Sequence, residues 1–330
     1  MDEVTSLKYA TRFSILAAVL GLVFVISLFT GRYSLCFQDL LSDDLGKYIV
    51  WNIRLSRTLT AALLGMALSV SGATLQSAFK NPLVDPGIMG VSQGAAFGAA
   101  FAILFLSNYP PTIEISSIVF GLLAVFTAYT MSSAIKYGER VLRLVLAGIV
   151  VSALFSGGVG VMECLADPLK QLPELTFWLL GGLSGVVWRD FLYALPLALG
   201  GILALLIVRW RVNLLTLKDD VALSLGTDLS KLRGLVITAS VVATAAVTSV
   251  AGVIGWMGLM VPHMARKMFG IDNRRVIPAS ALLGATLTII FDGIARTVSP
   301  GEIPLGVVTS LFGAPLFVFL LSRKGGETDG

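Results

Sequence analysis

The chain has 330 residues, 56% hydrophobic and 13% charged, with a formal net charge of +4 and a mean hydropathy of +0.87. A soluble domain carries about 25% charged residues, so this much apolar side chain exceeds what a soluble core of this size can hide, and lipid must solvate much of the surface. The small positive balance gives no indication of a nucleic-acid partner, and a single histidine, His263, rules out a His-rich metal site.

A helix needs about 20 residues to cross the hydrocarbon layer. Stretches free of Lys, Arg, Asp and Glu cover 13–31, 58–79, 86–113, 115–135, 144–162, 191–208, 234–265, 276–291 and 303–322. The leading MDEVTSLKYATR precedes a short apolar stretch without a cleavage-site pattern, so no removable signal peptide is expected. The run 234–265 is too long for one ordinary crossing and holds Gly252, Gly255, Gly258 and Pro262. It reads as a span to about 250, a turn, and a short return helix ending near 264. The result is an all-α membrane protein with ten crossings, since backbone in lipid must bond to itself and the ten-residue alternation of a barrel is absent. With a cytoplasmic N-terminus, an even count returns the C-terminus to the cytoplasm. Most of the 24 Lys and Arg residues then fall inside, as the positive-inside rule requires.

The first interruption in chain order is NIRLSRTL, 52–59, just outside the second span. Arg54 and Arg57 are three apart and share a helix face; Arg296 lies at the outer end of the ninth span. These outward arginines either snorkel or form ion pairs with acids of an extracytoplasmic partner, for which the arginine fork suits. The second interruption, QSAFKNPLVDPGIMGVSQGA at 76–95, joins spans two and three through the turn dipeptides Asn81-Pro82 and Pro86-Gly87. Gln76, Asn81 and Gln93 there either satisfy helix ends or line a polar path. In the fifth span Ser152, Ser156 and Gly157 are candidates for a pore lining and outer gate. Segment 167–190 contains a glycine-split run too short to cross and fits an outer interfacial helix, with Trp178 and Trp188 at headgroup depth.

The third interruption is GLMVPHMARKMFGIDNRRVIP, 258–278. Its basic hairpin, 264–277, falls on the cytoplasmic side and is long enough for two short helices with a turn at Gly270 and Asp272-Asn273, bracketed by Pro262 and Pro278. It is either a solvated loop obeying the charge bias or an element that docks into a cytoplasmic partner. His263 reads as a hydrogen-bonded helix-end residue. Acids flank the spans rather than interrupt them, which argues against an ion-coupled carrier. No GxxxxGK[ST] loop, HExxH or intraspan Asp pair occurs, so neither ATP binding by a P-loop nor intramembrane proteolysis is expected. Cys36 and Cys164 are two free thiols unless both face an oxidising compartment.

Taken together, RLSRTLTAALLGMALSVSGATLQSAFKNPLVDPGIMGVSQGA (54–95), VAGVIGWMGLMVPHMARKMFGIDNRRVIP (250–278) and GEIPLGVVTSLFGAPLFVFLL (301–321) resemble the permease subunits of ABC importers for iron-siderophore complexes, haem and vitamin B12. VLAGIVVSALFSG (145–157) and FWLLGGLSG (177–185) match more loosely. The resemblance implies one permease domain over 1–330 with ten helices and both termini cytoplasmic. It implies a pore of two such subunits, the second expected to be an identical copy, with two ABC ATPase subunits below and a substrate-binding protein above. ATP and Mg would be bound by the ATPases, and this chain would hold no cofactor or metal and perform no catalysis. It further implies that Pro262, His263, Arg266, Lys267, Gly270, Arg274, Arg275 and Pro278 belong to the segment coupled to the ATPase, and that Arg54, Arg57 and Arg296 meet glutamates of the binding protein. The sequence departs from the family pattern in carrying Ser56 where proline is usual, and Asn273 where Asp-His-Arg is usual. Trp256 and Met257 stand where other apolar residues are common. Iron-siderophore is the expected cargo, with cobalamin, haem or an oxyanion such as molybdate as alternatives.

Overall fold

The computed structural model describes residues 3–31, 33, 44–107, 109–136, 140–224, 228–299 and 301–322; Cys36 lies outside them. The charge-free runs become helices, and no strand occurs among the described residues. In chain order they are α1 (Glu3–Phe29), α2 (Asp44–Ala78), α3 (Val91–Leu106), α4 (Pro110–Ala134), α5 (Arg140–Leu165), α6 (Gln171–Leu180), α7 (Trp188–Thr216), α8 (Asp219–Ser224), α9 (Leu229–Ala251), α10 (Met257–Phe269), α11 (Asn273–Thr297) and α12 (Leu305–Ser322). Eight of these, α1, α2, α4, α5, α7, α9, α11 and α12, contain stretches long and apolar enough to cross a bilayer. α3 and α10 are shorter, at about 24 and 20 Å by the helical rise of about 1.5 Å per residue.

Burial sorts the long helices. The apolar window of α2 is 83% buried and those of α9 and α11 67%, against 11% for α1 and 22% for α12. α2 is therefore the axis of the bundle, with α1, α4, α5, α7 and α12 presenting apolar faces outward. Close approach to α2 depends on missing side chains. A Cβ at Gly72 would lie 2.0 Å from the carbonyl oxygen of Gly258 in α10, and one at Gly65 would lie 2.1 Å from that of Gly284 in α11.

Two irregular links interrupt the bundle, and both fall where the sequence placed breaks. After α9 the chain leaves the helix at Gly252 (φ 69°) and re-enters through Trp256 (φ 71°). Any side chain at Gly252 would strike the Trp178 carbonyl, 2.1 Å from the Cβ position. Between α2 and α3 the chain makes a single 3-10 turn, Pro86–Met89, capped by the Asp85 carboxylate on the Ile88 N–H (3.1 Å).

The basic stretch 264–277 is not a hairpin of two separate short helices. Residues to 269 finish α10, residues from 273 begin α11, and only the turn at Gly270 (φ 78°) lies between. Pro262 and Pro278 stand inside α10 and α11 instead of bracketing them. A helical proline leaves the carbonyl four residues earlier without its partner. For Pro262 that is Gly258, whose oxygen accepts from Gln76 Nε2 at 3.0 Å. The segment 167–190 forms α6 followed by a coil, and Trp188 opens α7, its indole donating to the Trp51 carbonyl at 2.7 Å.

Candidate functional site

The bundle has two polar ends and a cavity between them. At one end, the elbow, α10 meets α11. Asp272 caps α11 through the Arg274 N–H (2.9 Å) and accepts from Asn213 Nδ2 (2.7 Å), which ties the end of α7 to the turn. Asn273, the departure from the family pattern, is buried and accepts from Ser77 Oγ at 3.1 Å. α1 covers one flank: the Phe13 and Phe269 ring centroids are 4.5 Å apart, the Arg275 guanidinium lies 3.7 Å from the Tyr9 centroid, and Arg12 donates to the Met268 carbonyl. The residues here divide into two groups. Arg266 is held inside by Gln76 Oε1 at 2.7 Å and His263 Nε2 meets the Pro82 carbonyl at 3.1 Å, so both brace the elbow against α2 and the link after it. Lys267, Gly270, Ile271 and Arg274 are exposed, Ile271 by 87%.

At the opposite end, Arg54, Arg57 and Arg296 come together, as their sequence positions suggested, but they do not project outward. Their residual exposures are 5%, 7% and 5%, and acids and carbonyls of this same chain hold them. Arg57 grips Asp292 through Nε (2.9 Å) and Nη2 (2.8 Å), and Glu302 through Nη1 (2.9 Å). Arg296 shares Asp292 at 3.5 Å and donates to the Ser27 carbonyl at 3.0 Å. Arg54 donates to the Leu28 carbonyl at 3.0 Å and to that of Tyr33. A buried guanidinium without a counter-ion is costly, and Arg57 and Arg296 are buried against Asp292 while Arg54 is held by carbonyls. Asp292 and Glu302 were not singled out by sequence as the partners. The four-residue spacing of Asp292 and Arg296 on one helix was the available signal. A cavity of about 190 Å3 opens beside Arg57 and Glu302, walled by Gly181–Ser184 and Gly301–Leu305.

Between the ends lies a cavity of about 320 Å3. The two irregular links face each other across it, Asp85–Ile88 on one side and Val253–Gly258 on the other, with Gln93 and Ser152 on its wall. Backbone off the helical path at this depth is tolerated where protein covers it. Thr244, also on the wall, is fully buried and its hydroxyl makes no hydrogen bond within the described chain.

Of the expected path residues, Gln93 and Ser152 therefore share one cavity. Gln76 is 3% exposed and bonds to Gly258 and Arg266. Asn81 is exposed at the elbow end, where its side chain accepts from the Leu83 N–H (2.9 Å). Ser156 and Gly157 lie on the exposed face of α5, away from the cavity wall. Cys164 is exposed with a free thiol.

The FecCD transport family profile matches residues 19–323. The chain is 37% identical over 326 residues to the molybdate import system permease protein MolB of Haemophilus influenzae, covering 94% of this chain and 96% of that one. It is 40% identical over 278 residues to an iron chelatin transport system permease protein of Helicobacter pylori, covering 84% and 83%. A solved metal-chelate-type ABC transporter in an inward-facing conformation superposes with a TM-score of 0.89 at 36% identity over 95% of this chain and 99% of that one. The chain belongs to the FecCD transport family: it is a multi-pass inner-membrane permease subunit of an ABC importer, not itself an enzyme, and ATP is hydrolysed by its partner ATPase.

Proposed function

We propose that two copies of this chain form the pore of an ATP-driven importer of a metal chelate, with iron-siderophore as the cargo. The observation that carries this reading is the polarised bundle: a basic elbow at one end, a charged cluster at the other, and a sparsely charged cavity at the meeting point of two broken-helix links. Ten crossings fit this fold if α3 and α10 are counted with the eight long helices. The elbow then faces the cytoplasm together with both termini. Helix breaks at membrane depth commonly mark the substrate path of transporters, which supports Gln93 and Ser152 as path residues.

Two ABC ATPase subunits bind at the elbow, and an extracytoplasmic binding protein docks at the arginine end. The exposed edge of the elbow, Lys267, Gly270, Ile271 and Arg274, supplies the motor contact, while Pro262, His263, Arg266, Arg275 and Pro278 make the elbow stiff enough to transmit a push. α8, which lies at the same end, extends that surface. ATP moves the pore between states only through differential stabilisation of them. A second cargo reading, an oxyanion, is favoured by the near-complete coverage of a relative named for molybdate.

The test is ATPase stimulation in liposomes containing the assembled complex, with the binding protein loaded in turn with ferric siderophore, haem, cobalamin or molybdate. Stimulation by ferric siderophore alone is expected, and stimulation by molybdate alone would transfer the assignment to the oxyanion.

A further inference from the structure

α1 carries two stripes. Tyr9, Phe13, Leu16 and Leu20 pack onto the core and the elbow. Lys8, Arg12, Ile15, Val19 and Leu22 recur at spacings of three and four residues, so they share a second face, and all five are exposed. This face is basic at its head and apolar below. At the head, the Arg12 guanidinium lies 5.7 Å from the Tyr9 ring centroid, and the Arg275 guanidinium lies 3.7 Å from the same centroid. Arg12 also donates to the Met268 carbonyl near the end of α10. Three cations from α1 and α11 thus gather on one flank of the elbow. Asp272, the acid of this turn, is committed to the Arg274 N–H and to Asn213 of α7.

We propose that this flank is a binding site for an anionic phospholipid, with its phosphate on Lys8, Arg12 and Arg275 and one acyl chain along Ile15, Val19 and Leu22. The arginine fork suits phosphate oxygens, and basic pockets between membrane helices bind such headgroups. The apolar half of the stripe favours a lipid over a free anion. From Arg12 to Leu22 the helix rises about 15 Å, which matches one leaflet of a hydrocarbon layer about 30 Å thick. A free phosphate would engage the cations and gain nothing from the stripe below them.

The site has a structural consequence. α1 is the least buried of the eight long apolar helices, at 11%, and it meets the elbow through Tyr9, Arg12 and Phe13. A phosphate bridging Arg12 of α1 and Arg275 of α11 ties this outer helix to the joint between α10 and α11. The lipid composition of the membrane then sets how firmly α1 closes on the elbow. The choice of leaflet rests on the importer reading, which turns the elbow to the cytoplasm; the site itself does not.

The test counts lipid retained on the full chain by native mass spectrometry, after release from nanodiscs of phosphatidylcholine mixed with phosphatidylglycerol. Retention of phosphatidylglycerol over phosphatidylcholine is expected. Lys8→Gln, a substitution at an exposed position, should lower that retention about fivefold, and Arg12→Gln with Arg275→Gln more than about tenfold. Lys8→Gln decides the matter if the double variant does not fold. Arg209→Gln, at an exposed cation near the same end of α7, should leave retention unchanged. Equal retention of the two lipids, unchanged retention in Lys8→Gln, or an equal loss in Arg209→Gln would each overturn the site. Displacement of the retained phosphatidylglycerol by inorganic phosphate would overturn the lipid as its occupant. The leaflet is checked separately with Arg12→Cys in a chain whose Cys36 and Cys164 are replaced by serine. Labelling of that chain by an impermeant thiol reagent outside intact cells would count against the importer orientation, and the retention measurements would still decide the site.

Discussion

Arg57 and Arg274 stand near the ends of helices that pack together, yet their situations are opposite. Arg57 lies buried between Asp292 and Glu302, whereas Arg274 stands in solvent beside the Gly270 turn. The difference lies in what the fold brings opposite each cation. At the arginine end α2, α11 and the chain before α12 converge with acids already on them. At the elbow, Asp272 and Gln76 are committed to capping and bracing. A positive residue near a membrane face therefore says little about its availability to a partner until its neighbours in space are known.

The largest expected effect comes from removing the acid that two arginines share. Asp292→Asn leaves Arg57 and Arg296 buried against a neutral amide, and breaking a buried pair in this way costs about 3–5 kcal/mol. The thermal midpoint of the purified chain should fall sharply, well beyond the fall seen for Glu302→Gln. Equal midpoints for the two variants would erase the distinction between the fully buried acid and the part-exposed one. The same reasoning cautions against charge reversal as a docking test: Arg57→Glu adds a third acid beside Asp292, so a loss of binding would report folding.

A smaller effect is expected at the elbow's brace. Gln76→Leu keeps the side chain's bulk but leaves the Gly258 carbonyl, already deprived by Pro262, and the Arg266 guanidinium without partners. Buried polar groups left unmatched cost about 1–3 kcal/mol each. Unfolding in detergent should shift accordingly, and double substitution with Arg266→Met should recover part of the loss. Additive losses in the double variant would show that Gln76 and Arg266 do not act as a pair.

Much of this architecture is legible in the sequence because lipid imposes simple rules. Charge-free runs marked the long helices, and Gly252 with Pro262 marked where the run 234–265 had to break. The elbow turn was placed at Gly270 and Asp272 for the same local reasons. Reading the prolines as brackets failed because a helix accepts proline where another group takes up the orphaned carbonyl, and that group, Gln76, is 182 residues away from Gly258. The arginines were read as outward for a related reason. Arg57 and Asp292 are 235 residues apart, and only the packing of α2 on α11 through Gly65 and Gly284 brings them together. Short-range spacing could reveal Arg296 with Asp292 but not the full cluster.

The smallest structural effect should accompany the sharpest functional one. Arg274→Glu changes a solvent-facing charge, and surface substitutions away from special contacts usually stay within about 0.5 kcal/mol. The chain should keep its thermal midpoint and its hydrogen-exchange protection in α10 and α11. If the exposed edge of the elbow is the motor contact, ATP-driven uptake in liposomes should nonetheless collapse, because the reversed charge faces the ATPase subunit directly. Arg266→Glu makes the informative contrast: it also abolishes uptake, but by placing an acid against Gln76 and lowering the midpoint by several degrees. Loss of uptake in both variants with a lowered midpoint only in Arg266→Glu separates contact from brace. Normal uptake in Arg274→Glu would move the motor contact off this edge and toward α8, leaving the elbow as a structural joint between α10 and α11.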